Sequence, residues 1–148
     1  MNLGEEEIRA LSWKQPFASL MLHGKVETRT WPTQYRGLVL ICASAQPYGW
    51  RVVESMCGTK QFLRIRLLLQ TIGIDLSVTY GKAIAVGRLV DCWKMNPEDE
   101  NKAFVGYQSH LYCHVYGDVK PIKPFAWKGA QKWKKVDQET IDKIEYLK

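Results

Sequence analysis

Several large protein classes are excluded by what this chain lacks. Its 148 residues contain no apolar run approaching the roughly 18 residues that a membrane-spanning helix needs. No charged start followed by an apolar stretch and a small-residue cleavage site opens it. The expectation is a soluble, cytoplasmic protein with no membrane partner. Cysteine is sparse: Cys42, Cys57, Cys92 and Cys113 form no C-x-x-C pair, and three of them lie in apolar runs where a reduced thiol packs as a small hydrophobe. They read as free thiols. No P-loop, dinucleotide fingerprint or G-x-S-x-G elbow is present, so nucleotide-cofactor and hydrolase-fold chemistry lack support and no cofactor is expected. Histidine is equally scarce. His110 and His114 stand four apart, but the residues between them are strand-like and no carboxylate or cysteine completes a ligand set, so no metal is expected. His23, just before Gly24, reads as a helix C-terminal residue favoured by the dipole.

The apolar content of 46% over 148 residues suffices for one core, and no linker-like stretch divides the chain, so a single domain over 1–148 is expected. The formal net charge is +6, which inclines the chain toward polyanions such as nucleic acid. That charge is uneven. Between Asp118 and Asp137 no acidic residue occurs, while Lys120, Lys123, Lys128, Lys132, Lys134 and Lys135 do. With Trp127 and Trp133 interleaved, this stretch reads either as a backbone-binding patch or as a solvated basic face. Glu5, Glu6 and Glu7 make the N-terminus acidic instead.

Residue patterning predicts a short strand over Ile8–Ser12, then a helix opening at Pro16, with Ser12 and Gln15 in a capping-box relation and Phe17, Leu20 and Met21 as its buried stripe. Gly24 ends that helix. Val26–Trp31 and Leu38–Ala43 read as neighbouring strands. Two amphipathic helices, broken at Gly58, fill 48–71. Lys82–Cys92 and Leu111–Val115 are strand-like, Asn96–Lys102 is a polar loop or helix start, Pro121–Trp127 is extended, and 138–147 is a short terminal helix. This order predicts an α+β fold, a small β-barrel with helical insertions.

The most informative residues are Lys25, Glu27 and Arg29, whose alternate spacing turns all three to one face of an extended segment. Such side chains form either a polar cleft floor, with the Glu orienting cations that hold a phosphate or base edge, or a surface ion-pair ladder. Lys25 and Glu27 are also candidate catalytic residues, as base and proton shuttle. Ser12, Ser44 and Thr28 are candidate oxyanion stabilisers, and Asp91 is a candidate distant carboxylate. Trp31, Tyr35 and Arg36 follow directly, and Trp13 lies near in sequence. An aromatic beside guanidinium groups is a platform for an unpaired base, or equally a half-buried core element with one satisfied polar tip.

Leu11-Ser12-x-x-Gln15-Pro16, then Gly24, Lys25, Glu27, Arg29 and Trp31, then Tyr35-Arg36-Gly37 and a strand ending Ala43-Ser44, resemble the ASCH (activating signal cointegrator homology) domain family. The likeness continues at Gly87–Cys92 and Pro121–Trp133 and is weakest over Tyr48–Tyr80. It implies a PUA-like β-barrel that binds RNA or other nucleic acid in a cleft beside the barrel. One branch is an amidohydrolase acting on acetylated cytidine, with a Lys and a Thr in a Lys-Thr-x-Thr-x-Arg run and a Glu from a distant strand. Aligned on Arg29, Glu27 stands where that branch has its second Thr, and Lys25 falls one residue closer to the Arg. Thr28, three residues after Lys25, should point to the opposite face. A nuclease activity is also implied for a family member. The resemblance therefore points to RNA, single-stranded nucleic acid or a nucleoside-like small molecule as partner. The implied cleft holds Ser12, Gln15, Lys25, Arg29, Trp31, Tyr35, Arg36 and Lys128, with hydrolysis of an acylated pyrimidine nucleoside as the alternative activity.

Overall fold

A computed structural model describes residues 6–130 and 132–147, and Glu5 of the acidic start lies outside them. The chain runs β1 (Ile8–Trp13), α1 (Phe17–Leu20), β2 (Glu27–Arg29), β3 (Gly37–Ala43), α2 (Trp50–Cys57), α3 (Thr59–Ile72), β4 (Lys82–Lys94), α4 (Glu100–Ala103), β5 (Tyr112–Ala126), β6 (Lys134–Lys135) and α5 (Gln138–Asp142). The six strands form one mixed sheet in the order β2-β5-β4-β3-β1-β6. The result is an α+β half-barrel, of the class the sequence predicts.

Strand β3 is the spine. Paired in parallel with β1 and antiparallel with β4, it has both edges satisfied, and all seven of its residues are buried. Its apolar run is continuous because it packs on two sides. Val39, Ile41 and Ala43 enter one core with Val53 and Cys57 of α2 and Ile65 and Leu69 of α3. Leu38, Leu40 and Cys42 enter a second core with Ile8, Val86, Ile122 and Val136. The two helices expected around Gly58 therefore cover one face of the sheet.

Four local expectations are corrected. Strands β2 and β3 are not neighbours: β5 and β4 separate them, because β3 already has β1 and β4 as its two partners. The two extended segments near 111–127 are one strand, bent by register shifts against β4. Pro121 is tolerated there because β2 pairs only with Tyr112, Cys113 and His114, and where the outer side of β5 meets the segment 145–147 Pro121 takes part as an acceptor, its carbonyl receiving the Leu147 N–H at 3.1 Å. Ser12 caps nothing; it belongs to β1, and the Gln15 side-chain oxygen accepts the Ser19 N–H at 3.0 Å instead. The terminal helix stops at Asp142, after which Tyr146 bridges to Ile122.

All four cysteines are free. Burial pushes the thiols of Cys57 to about 11 and Cys113 to about 12, so neither is a thiolate at neutral pH. No helix among the described residues is long and apolar enough to cross a membrane.

Candidate functional site

Strand β2 is three residues long, and its position fixes the site. Gly24, in the left-handed region at φ 83°, turns the chain out of the helical segment. The Val26 N–H then donates to Lys102 O at 2.9 Å, and Glu27 and Arg29 pair with His114 and Tyr112 of β5. The alternation of Lys25, Glu27 and Arg29 is realised as a chain of contacts. Lys25 Nζ lies 3.2 Å from Glu27 Oε1, and Arg29 Nη2 lies 3.2 Å from Glu27 Oε2. The Lys25 and Glu27 side chains are only 1% and 8% exposed, whereas Arg29 keeps 21%, so the triad is a buried pair with one cation reaching outward.

The remaining contacts hold this floor. Lys25 Nζ also donates to Val26 O at 3.0 Å, and the Thr28 N–H donates to Glu27 Oε1 at 2.9 Å. Arg29 Nη2 donates to Ser12 O at 3.3 Å, which ties β2 to the end of β1. Its guanidinium lies 5.0 Å from the Trp13 ring and 5.9 Å from the Trp31 ring. Burial alone would raise the Glu27 carboxyl. The Lys25 and Arg29 charges and the Thr28 and Lys25 hydrogen bonds outweigh it, holding the carboxyl below its ordinary range. Glu27 is therefore a fixed negative charge, better suited to orienting the two cations than to shuttling a proton.

This triad lies in a cavity of about 980 Å³. Trp13, Phe17, Trp31, Tyr48 and Trp127 supply aromatic walls, Ser12, Thr28 and Ser44 supply hydroxyls, and Lys14 and Lys128 are exposed cations at its edge. Glu27 is the one carboxylate among the described lining residues. Two buried donors, Trp13 Nε1 and Arg29 Nε, have no protein partner among the described residues. Gly129 lets the chain close over this end: a Cβ there would come 2.5 Å from Ser12 Oγ.

Of the residues singled out in the sequence, Ser12, Lys25, Glu27, Arg29, Trp31 and Lys128 come together at this cavity. Gln15, Tyr35 and Arg36 do not line it. Gln15 is buried, its amide nitrogen donating to Ser19 Oγ at 2.7 Å and Thr79 Oγ1 at 2.8 Å. The Tyr35 hydroxyl donates to Leu38 O at 2.7 Å, and its ring lies against Trp133, which in turn meets Trp31. Tyr35 thus backs the cavity wall from behind. Arg36 is spent on Thr33 O and Tyr35 O, both at 2.9 Å. Asp91 is exposed, accepts the Cys92 N–H and stands away from the cavity, so it is not the distant carboxylate. Thr28, expected on the opposite face from Lys25, also lines the cavity. The Lys-rich stretch divides: Lys128 is at the cavity, Lys134 lies 5.2 Å from the Trp127 ring, and Trp133 is packed inward.

Lys14, Tyr48 and His110 were not singled out as cleft residues. Lys14 sits over the Tyr48 ring at 5.3 Å, and the Tyr48 N–H donates to Gln15 O at 2.9 Å. No periodicity connects residues 14, 48 and 110; tertiary closure alone does. His114 belongs to the frame. It is fully buried, its Nε2 lies 2.8 Å from Trp31 O, and its ring meets Trp31 edge-on at 4.9 Å. Burial holds it below its ordinary value, so it is neutral, and a carbonyl partner requires the proton on Nε2. Among the described residues no group of three or more His, Cys, Asp or Glu could hold a metal.

No protein-family model matches this chain, and no curated protein does. Solved structures do. A tyrosine-to-phenylalanine variant of the ASCH protein of Zymomonas mobilis matches at 14% identity with a TM-score of 0.58, over 93% of this chain and 99% of that one. The ASCH structure of Zymomonas mobilis matches at 12% identity and 0.52, over 93% of this chain and 96% of that one. At these identities the likeness is one of fold: the chain shares the α+β half-barrel of these ASCH structures.

Proposed function

We propose that this chain is an ASCH-type RNA-binding protein that seats an unpaired nucleotide of a single strand in the cavity beside the half-barrel. The observation that carries this reading is the composition of the cavity. A fixed cationic and anionic floor, Lys25, Glu27 and Arg29, shares the cavity with the partly exposed rings of Trp31, Tyr48 and Trp127, with Lys14 and Lys128 at the edge. Aromatic faces stack a base regardless of its identity, while cations at the edge track the backbone. Lys25 is already committed to Glu27 and Val26 O, so it sets the floor, and Arg29, Lys14 and Lys128 are left for phosphate. Gel-shift titration of single-stranded oligoribonucleotides at two ionic strengths tests the reading. Retardation that weakens as salt rises supports it, and no retardation at low salt overturns it.

A second reading, hydrolysis of an acylated pyrimidine nucleoside, is favoured by one observation: Thr28 shares the cavity with Lys25 and Glu27 although it stands three residues after Lys25. Incubation with an N-acylated cytidine, followed by chromatography, decides it. Release of free cytidine that disappears in Lys25→Met establishes turnover at this site; intact substrate removes it.

A further inference from the structure

A second concavity, of about 710 Å³, lies on the other side of the N-terminal end of α2, between α3 and the segment 74–80. Trp50, Phe62, Arg66 and Tyr80 line it, with Asp75 and Ser77. The Arg66 guanidinium lies 4.5 Å from the Trp50 ring centre and 5.8 Å from that of Phe62, and the two rings meet edge-on at 6.2 Å. Arg66 is exposed, and no carboxylate lies within ion-pair distance of it among the described residues. Asp75 is the acid in the groove, and its carboxylate is turned to the Ser77 N–H at 3.0 Å and the Ser77 hydroxyl at 2.7 Å. A planar cation over an indole, open on its outer side, is a stacking surface with positive charge. The surrounding charge has the same sign: α2 and α3 carry Arg51, Lys60, Arg64 and Arg66 against Glu54 alone.

The two concavities are adjacent along the chain. Tyr48 lines the first and Trp50 the second, and two residues of chain place their Cα atoms no more than about 7 Å apart. Gln15 touches both edges, its backbone carbonyl accepting the Tyr48 N–H and its buried side-chain amide donating to Thr79 Oγ1. We propose that the Trp50–Phe62–Arg66 groove is a second nucleotide subsite, which takes the neighbouring nucleotide of the strand whose unpaired base occupies the cavity. The inference rests on the RNA reading given above and extends its footprint.

Fluorescence anisotropy with a labelled oligouridylate, with uridine 5′-monophosphate as a competing ligand, separates the two claims. Three exposed or partly exposed arginines are compared: Arg66→Gln in the groove, Arg29→Gln in the cavity and Arg51→Gln elsewhere on the same helix pair. Arg66→Gln is expected to weaken oligomer binding about tenfold, the scale of one stacked base, and to leave mononucleotide competition unchanged. Arg29→Gln should weaken both ligands, and Arg51→Gln should have less effect on the oligomer than Arg66→Gln. An Arg66→Gln protein that binds the oligomer as wild type does, while Arg29→Gln fails to, overturns the second subsite and leaves the first. Equal losses from Arg66→Gln and Arg51→Gln, or an Arg66→Gln loss that extends to the mononucleotide, also overturn it. A wild-type protein that binds neither ligand at low salt overturns both.

Discussion

Lys25 and Glu27, two residues apart, meet at 3.2 Å with both side chains almost completely removed from solvent. A buried ion pair gains little over an apolar pair of the same volume, but removing one partner leaves a charge in a medium that cannot solvate it. Here the two partners are unequal, because Glu27 keeps Arg29 when Lys25 is lost, whereas Lys25 has no second carboxylate among the lining residues. Glu27→Gln should therefore destabilise the protein by about 3–5 kcal/mol, and Lys25→Met by clearly less. Urea denaturation of both variants measures this, and equal losses would contradict the asymmetry.

Stability should fall with acid in two windows. His114 is held below its ordinary value of 6.5 by burial, so below that pH the unfolded chain takes up a proton that the folded one refuses. Its contribution is complete above 6.5 and is lost as pH falls toward the folded value. Glu27, held below 4.5, behaves likewise at lower pH: its contribution is complete above 4.5 and is lost as the carboxyl protonates in the fold. Thermal melts from pH 7 to 3 should show both declines, with His114→Gln removing the first and sparing the second.

The charged floor was legible because a period of two survives even in a three-residue strand: Lys25, Glu27 and Arg29 converge as alternate residues must. The continuous run 38–43 likewise announced a strand, and Gly58 the break between two helices. What sequence could not give was the second half of the cavity. Tyr48, His110 and Trp127 arrive from segments whose proximity depends on the strand order, and local patterning does not show that β5 and β4 stand between β2 and β3. Gln15 and Tyr35 belong to the cleft that the ASCH resemblance implies, but they face inward. Both tips are satisfied internally, by Thr79 and Ser19 and by Leu38 O, through contacts that no local pattern records.

The closeness of Gly129 to Ser12 gives a paired prediction. Gly129→Ala places a methyl group 2.5 Å from Ser12 Oγ but 3.4 Å from Ser12 Cβ. The single change should force the Lys128–Ala130 segment or the serine to move, whereas Ser12→Ala in the same chain removes the clash. The two substitutions should therefore be non-additive, the double variant being more stable than the sum of the singles by about 0.5–3 kcal/mol. A double-mutant cycle by chemical denaturation reads this, and additivity would show that the segment yields freely.

Tyr116 offers a substitution that should help. Its hydroxyl is buried without a partner among the described residues, and its ring meets Trp13 edge-on at 5.9 Å. Tyr116→Phe keeps that ring contact and removes a polar group that folding strips of water, so stability should rise by about 1 kcal/mol. A melting temperature below that of wild type would mean that the hydroxyl has a partner, an internal water being the simplest.

Lys25 and Lys128 differ in depth. Lys25 was the natural phosphate ligand when only its spacing was known, yet its amino group is buried against Glu27 and Val26 O, while Lys128 is exposed at the cavity edge. A phosphate contact releases counterions, and each one removed lowers the slope of log affinity against log salt by about 0.7 for a single strand. Lys128→Gln should thus weaken RNA binding and flatten that slope by about this amount. Lys25→Met, if the chain stays folded, should reduce affinity by disturbing Glu27 and Arg29 while leaving the slope nearly that of wild type. Titrations at four or more salt concentrations give both slopes. A flattened slope for Lys25→Met with an unchanged one for Lys128→Gln would reverse the assignment and put the phosphate on the cavity floor.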